Sequence, residues 1–168
     1  MSKSEKMGEF IPEKQIEFNV HSEKWHVYEL EDKSTIRFKT VLIDIYDAGP
    51  AEGEMGAQGI RKAFFNMKLL SSVFSPKKMR EKKGQVWPIS ELEKNIIKPN
   101  LMFRQLKDGG FAEYETSNSK LQIKTILRQV DRTSKFGSMG NPAYIIRTES
   151  EVLIEKKPTV NEQNESET

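Results

Sequence analysis

The sequence predicts a mainly β protein built from two repeated, small antiparallel β units, barrel-like or sandwich-like, joined by a linker with one short helix. Three observations predict this fold class. Apolar and polar residues alternate with a period of two in two separate segments. These two segments resemble each other in sequence, and the segment between them carries a helix-start signal.

The internal repeat is the strongest of these signals. The stretch WHVYELEDKSTIRFKTVLIDI aligns with FAEYETSNSKLQIKTILRQV, with one residue deleted in the second copy, and Gly-x-Met-Gly follows both. Two amphipathic strands align tolerably by chance, but identical residues in the same order favour a duplication. The identities are Tyr28, Glu29, Lys39, Thr40 and Leu42 against Tyr114, Glu115, Lys124, Thr125 and Leu127.

The first unit is predicted to form strands over 25–30 and 35–45, joined by a polar connection. Residues 16–20 add a possible strand before them. Ile45 and Val130 lie on the opposite phase from the apolar residues that precede them, which predicts a bulge or a change from edge to interior near the end of each long strand. Residues 59–74 have the apolar spacing of a helix, whereas the repeat favours a strand there, and we expect the strand.

The segment between the units predicts the short helix. Ser90 and Glu93 have the spacing of a capping box, and Pro99 would end the helix, so we expect it over about 91–97.

Composition bounds the class of protein. The chain has 168 residues, 27 basic against 25 acidic side chains and no cysteine. The missing cysteine excludes disulfides, thiolate nucleophiles and cysteine metal sites. The start lacks an apolar leader core and no long apolar run occurs, so we expect a cytoplasmic protein that is not in a membrane.

The chain divides by composition into five segments. Residues 1–15 and 157–168 are predicted to be disordered tails, the second of them acidic, because they hold too little apolar surface to offset their ordering entropy. Repeat 1 covers 16–75, a basic linker covers 76–110 and repeat 2 covers 111–156. The linker carries nine basic and four acidic residues. Whether the repeats form one domain or two stays open.

One string supports a resemblance. YELEDKSTIRFKTVL, followed later by GNPAYII, resembles a pattern of small β-rich proteins of archaea and bacteria that have no assigned activity. The chain departs from that pattern at Lys33, where glycine is usual. The resemblance implies that short β units of this kind exist, and it implies no function.

The sequence predicts no catalytic, cofactor or metal site. His21 and His26 are five residues apart, which places them on opposite faces of a strand. Acidic residues near 44–54 lack the spacing of a calcium loop. The Gly-x-x-G strings follow strands and are typical of hairpin loops.

We therefore expect a non-enzymatic binding or interaction module with a protein partner, and Tyr28 and Tyr114 are its candidate contacts. The alternative is a nucleic-acid-binding protein that uses the basic linker, with cations to neutralise phosphates and an aromatic ring to stack on a base. An enzyme of unknown type is the third interpretation. The candidate nucleic-acid contacts are Lys77, Lys78, Arg80, Lys82, Lys83 and Trp87.

Overall fold

A computed structural model of the chain describes residues 14–50, 61–81 and 84–158. Over these residues the protein is mainly β, with two antiparallel sheets, one 3-10 helix (Lys77–Met79) and one short α-helix, α1 (Ile89–Glu93). Neither sheet closes into a barrel in the described part of the chain. The predicted fold class is confirmed.

Ten strands are seen in the described ranges, five in each sheet. The first sheet has the order β5-β4-β3-β7, and β1 pairs with the far half of β4. The second sheet has the order β10-β9-β8-β2, and β6 pairs with the far half of β9. The strands are β1 (Lys14–Ile16), β2 (Asn19–Ser22), β3 (His26–Leu30), β4 (Thr35–Pro50), β5 (Arg61–Phe74), β6 (Ile96–Lys98), β7 (Phe103–Lys107), β8 (Ala112–Glu115), β9 (Ser119–Phe136) and β10 (Pro142–Lys156).

The two longest strands each carry the predicted bulge. The β4–β5 register shifts between Leu42 and Asp44, and the β9–β10 register shifts opposite Leu127 and Gln129. The bulge moves the buried face by one residue, which is why Ile45 is buried together with the apolar residues before it. The strand predicted for 59–74 is confirmed over Arg61–Phe74, because its backbone pairs with β4 along its length.

Strands β2 and β7 cross between the two halves of the chain. β2 pairs with β8 of the second half, and β7 pairs with β3 of the first half. Matching aromatic contacts accompany the exchange: the rings of Phe18 and Tyr114 meet edge to face at 5.7 Å, and those of Phe103 and Tyr28 at 5.6 Å. Each half therefore completes the sheet of the other.

The core lies between the inner faces of the sheets as two clusters. One joins Ile36 and Phe38 of β4 to Val130 of β9, and the other joins Ile45 of β4 to Ile123 of β9. A hydroxyl contact bridges the sheets between them, since Thr125 Oγ1 donates to Thr40 Oγ1 at 2.7 Å.

The segment between the predicted repeats differs from its sequence prediction. It contains β6 and β7 in addition to α1, and the predicted helix over 91–97 is wrong in its bounds. α1 begins after Pro88, no side chain caps it, and Ser90 lies inside it. The backbone at Ile96 and Lys98 pairs with β9, so sheet pairing overrides the local helix signal.

Candidate nucleic-acid interface

The basic run that the sequence singles out forms an exposed turn after β5. Lys77 and Lys78 lie on the 3-10 helix with exposed side chains. The guanidinium carbon of Arg80 lies 5.2 Å from the ring centre of Phe74, a cation–π contact. Lys82 and Lys83 lie outside the described residues. The described part of the basic run thus adjoins the end of the first sheet.

Trp87, predicted to stack on a base beside this run, lies against the second sheet. Its indole N–H donates to the backbone oxygen of Phe136 at 3.0 Å, and Lys135 Nζ lies 4.5 Å from its ring centre. The structure therefore places Arg80 on the first sheet and Trp87 on the second.

The two tyrosines predicted to contact a protein partner both pack against the core. Tyr114 is 1% exposed, and its hydroxyl donates to Glu23 at 2.6 Å and accepts from the Leu42 N–H at 3.1 Å. Tyr28 is half-buried, and its ring packs on Phe38. Strand alternation explains this, because both tyrosines lie opposite buried residues of the next strand.

Sequence reasoning missed a cluster on the outer face of the first sheet. The Arg37 guanidinium carbon lies 4.3 Å, and Lys39 Nζ lies 4.9 Å, from the ring centre of Trp25. Arg37 and Lys39 are two residues apart on β4, so both point away from the core. The β3–β4 register places His26 opposite Phe38, which brings Trp25 level with Lys39. Two cations thus converge on one partly exposed indole.

This cluster continues across β4 to β5. Lys68 lies opposite Val41 on the same face, and Phe74, 67% exposed, lies opposite Thr35. We call this surface the basic-aromatic face. It comprises Trp25, Arg37, Lys39, Lys68, Phe74 and Arg80.

Two carboxylates on this side of the sheet, Glu29 of β3 and Asp44 of β4, already have partners. Glu29 accepts from Arg104 at 3.1 Å, and Asp44 accepts from Gln15 at 2.6 Å and from Asn66 at 3.2 Å. Among the described residues, no carboxylate forms an ion pair with a cation of the basic-aromatic face. The cations of this face are therefore not neutralised by a direct ion pair within the described part of the chain.

The outer face of the second sheet is different. Lys124 lies opposite Glu151, and Arg128 forms an ion pair with Glu149 at 2.8 Å. In the sequence alignment, Lys124 corresponds to Lys39 and Phe111 to Trp25. Equivalent positions thus form a positively charged surface on one sheet and a charge-balanced surface on the other.

The loop between β7 and β8 packs closely against the backbone of Lys24 and Trp25. A Cβ on Gly109 would lie 2.7 Å from the Lys24 carbonyl oxygen and 2.9 Å from that of Trp25, so only glycine fits this crossing. The Gly109 N–H donates to Nδ1 of the buried His26 at 3.1 Å. Burial lowers the pKa of His26, and the nearby Asp108 carboxylate opposes that shift in part. A neutral His26 imidazole therefore anchors the loop.

A buried polar network fixes the other end of the basic-aromatic face. The Tyr144 hydroxyl donates to Asp32 at 2.6 Å, and the Ser34 hydroxyl bonds both Tyr144, at 2.9 Å, and Ser75, at 2.8 Å. Ser34 and Ser75 are 0% exposed, so no substrate reaches their hydroxyls in this structure. Ser75 directly follows Phe74, so the network holds the chain at the end of β5.

The network sets the protonation of its members. Burial would raise the pKa of Asp32, but hydrogen bonds from Tyr144, Ser34 and Arg132 together hold it below its ordinary value. Burial and the bond to Asp32 raise the pKa of Tyr144 to about 12. At neutral pH Asp32 is therefore an acceptor and Tyr144 a donor.

Other candidate sites are sparse in the described ranges. An open cleft of about 500 Å³ lies on the second sheet, where His21 bonds Glu115 at 2.6 Å. No group of three or more metal-ligating side chains occurs in this part of the chain. Likewise, none of the described helices is long and apolar enough to cross a membrane.

Comparisons with known proteins give no relative: no family model, no curated protein and no solved structure matches the chain.

Proposed function

We propose that this protein is a non-enzymatic binding module and that its ligand is a nucleic acid held on the basic-aromatic face. The observation that carries the proposal is the convergence of Arg37 and Lys39 on Trp25, where neither cation forms an ion pair with a described carboxylate. Cations in such a position neutralise phosphates and release counterions.

The exposed basic turn extends the same surface. Arg80 contacts Phe74 at the edge of the face, and Lys77 and Lys78 precede it. The proposed binding surface therefore includes the basic run that the sequence indicates, together with cations from β4 and β5. The whole chain has a net charge of only +2, so the proposal depends on local charge rather than on the total.

The proposal includes a tandem duplication as the origin of the fold. The matching strand orders, the equivalent bulges and the paired contacts Phe18–Tyr114 and Phe103–Tyr28 support it. A duplication explains why the second sheet has the same framework without the same charge: one copy acquired the binding surface. A cytoplasmic location stays a prediction from the sequence, which cell fractionation tests.

A protein partner, the function that the sequence favours, also stays a prediction. Its two candidate contacts, Tyr28 and Tyr114, pack against the core, so neither of them is a fully exposed contact residue. Purification from native lysate with and without nuclease separates the two functions. A protein that co-purifies only without nuclease is bridged by nucleic acid, whereas one that resists nuclease supports the protein partner.

Salt dependence of binding tests the proposed function. If Arg37, Lys39 and Arg80 contact phosphates of a single strand, raising the salt from 50 to 200 mM lowers the affinity about 20-fold. Lys39→Gln should reduce the slope of log affinity against log salt by about 0.7. Lys124→Gln changes the charge equally at the corresponding position of the second sheet, and we expect it to leave the slope unchanged. Equal effects of the two variants contradict the proposal.

A further inference from the structure

The basic-aromatic face combines two separated aromatic rings, each beside a cation, with one further cation between them. Trp25 lies beside Lys39 at one end, and Phe74 lies beside Arg80 at the other. Arg37 lies between them, because its partner on β5 is Ser72, one row before Phe74 on this face. Aromatic and cationic groups therefore alternate along one diagonal of the sheet.

The sheet geometry gives the length of this diagonal. Trp25 and Phe74 are separated by two strand spacings and by two rows of side chains, which places their Cα atoms roughly 16 Å apart. A duplex presents its phosphates and keeps its bases stacked on each other. Only a strand with unpaired bases can use both aromatic rings as stacking surfaces.

We infer that the nucleic acid on this face is single-stranded, with bases that stack on Trp25 and Phe74 and phosphates that contact Arg37, Lys39 and Arg80. This inference rests on the proposed function. The exposure of Phe74 supports it: a phenylalanine that is 67% exposed in a strand and contacts a cation is available to a base. The partly exposed Trp25 offers a second stacking surface.

The second sheet lacks this arrangement. Phe111, at the position that corresponds to Trp25, is 38% exposed, and no cation–π contact joins it to a described cation. In the same row of the second sheet, β9 carries Lys124 and β10 carries Glu151 directly opposite it, so the two charges balance. The two faces therefore differ in ligand chemistry within one framework, and this provides a matched control.

Binding of the full chain to a fluorescein-labelled oligodeoxynucleotide of about 12 residues, and to the corresponding duplex, tests the inference. We expect tighter binding of the single strand, and a loss of about 5- to 150-fold in that affinity for Trp25→Ala and for Phe74→Ser. Phe111→Ala should retain the wild-type affinity. Because Phe74 is largely exposed, its variant keeps the test valid if Trp25→Ala fails to fold.

Three results would overturn the inference. Equal affinity for single strand and duplex, with Lys39→Gln weaker and both aromatic variants unchanged, leaves the proposed function standing and removes only the single-strand inference. Binding of neither nucleic acid at 50 mM salt removes both. Binding of vesicles that contain phosphatidylserine in place of either nucleic acid assigns the face to an anionic membrane and also removes both.

Discussion

Tyr144→Phe removes one hydroxyl from the buried network that joins the two halves. That hydroxyl donates to the Asp32 carboxylate at 2.6 Å and bonds the Ser34 hydroxyl at 2.9 Å. The ring stays in place, because Tyr144 also packs in the core beside Leu127 and Val130. The substitution therefore tests the two hydrogen bonds without opening a cavity.

The magnitude follows from the two bonds. A hydrogen bond to an ionised group contributes about 1.5–3 kcal/mol, and a neutral one about 0.5–1.5 kcal/mol. Asp32 keeps the Ser34 N–H at 2.9 Å and Arg132 at 3.1 Å, so it is not left unpaired. We expect Tyr144→Phe to lower the free energy of unfolding by about 2–4 kcal/mol at pH 7.

Urea unfolding at pH 7 and at pH 3 measures this loss. Because the folded-state pKa of Asp32 lies below its ordinary value, its stabilisation is present above the ordinary pKa and is lost as pH falls through the folded-state pKa. The difference in unfolding free energy between wild type and Tyr144→Phe should therefore be smaller at pH 3 than at pH 7.

Tyr28→Phe is the control, since the Tyr28 hydroxyl has no hydrogen-bond partner among the described residues. A loss below about 0.5 kcal/mol in Tyr144→Phe would refute the reasoning, because surface substitutions have effects of that size.

Two further predictions concern the turns near the basic-aromatic face. Lys33 has φ of 71°, a left-handed conformation that costs a non-glycine residue about 1–2 kcal/mol, so Lys33→Gly should raise the urea midpoint; a lower midpoint would contradict this. For His26, a folded-state pKa below the ordinary value means that stability is present above about pH 6.5 and is lost as pH falls from there. His26→Gln retains an acceptor for the Gly109 N–H, so it should lose less stability than wild type between pH 7.5 and 5.5; equal losses would show that His26 is not the titrating group.

Much of the fold could be predicted because β4 and β9 carry their burial pattern in the sequence. Period-two alternation predicts both strands, and the phase change at Ile45 and Val130 predicts the bulges. Over 59–74, where the apolar spacing alone is that of a helix, the similarity between the two copies predicts the strand. These features depend on side chains that alternate locally, so a single sequence is enough to find them.

The short strands could not be predicted in the same way. All five residues of β7 are exposed, so no apolar alternation marks it as a strand. It forms because β3 of the other half supplies hydrogen-bond partners, and β6 forms because β9 does so. Long-range pairing of this kind leaves no local pattern, and it also explains why the capping box at Ser90 does not give the predicted helix.

The candidate site was partly accessible to sequence reasoning. The basic run is visible as a string, and Lys77, Lys78 and Arg80 are exposed as a binding role requires. Trp25, Arg37 and Lys39 were missed because they are brought together by the β3–β4 hairpin. The signal that would have found them is the register itself, since the hairpin turn at 31–34 places Trp25 level with Lys39.

The fluorescence of Trp25 tests the central claim most directly. The chain has two tryptophans, so Trp87→Phe leaves Trp25 as the only one. If a single strand stacks on the basic-aromatic face, titration with an oligodeoxynucleotide at 50 mM salt quenches this emission, and 200 mM salt largely reverses the quenching. Oligonucleotide that binds, by anisotropy of its own label, without changing the Trp25 emission would contradict the account.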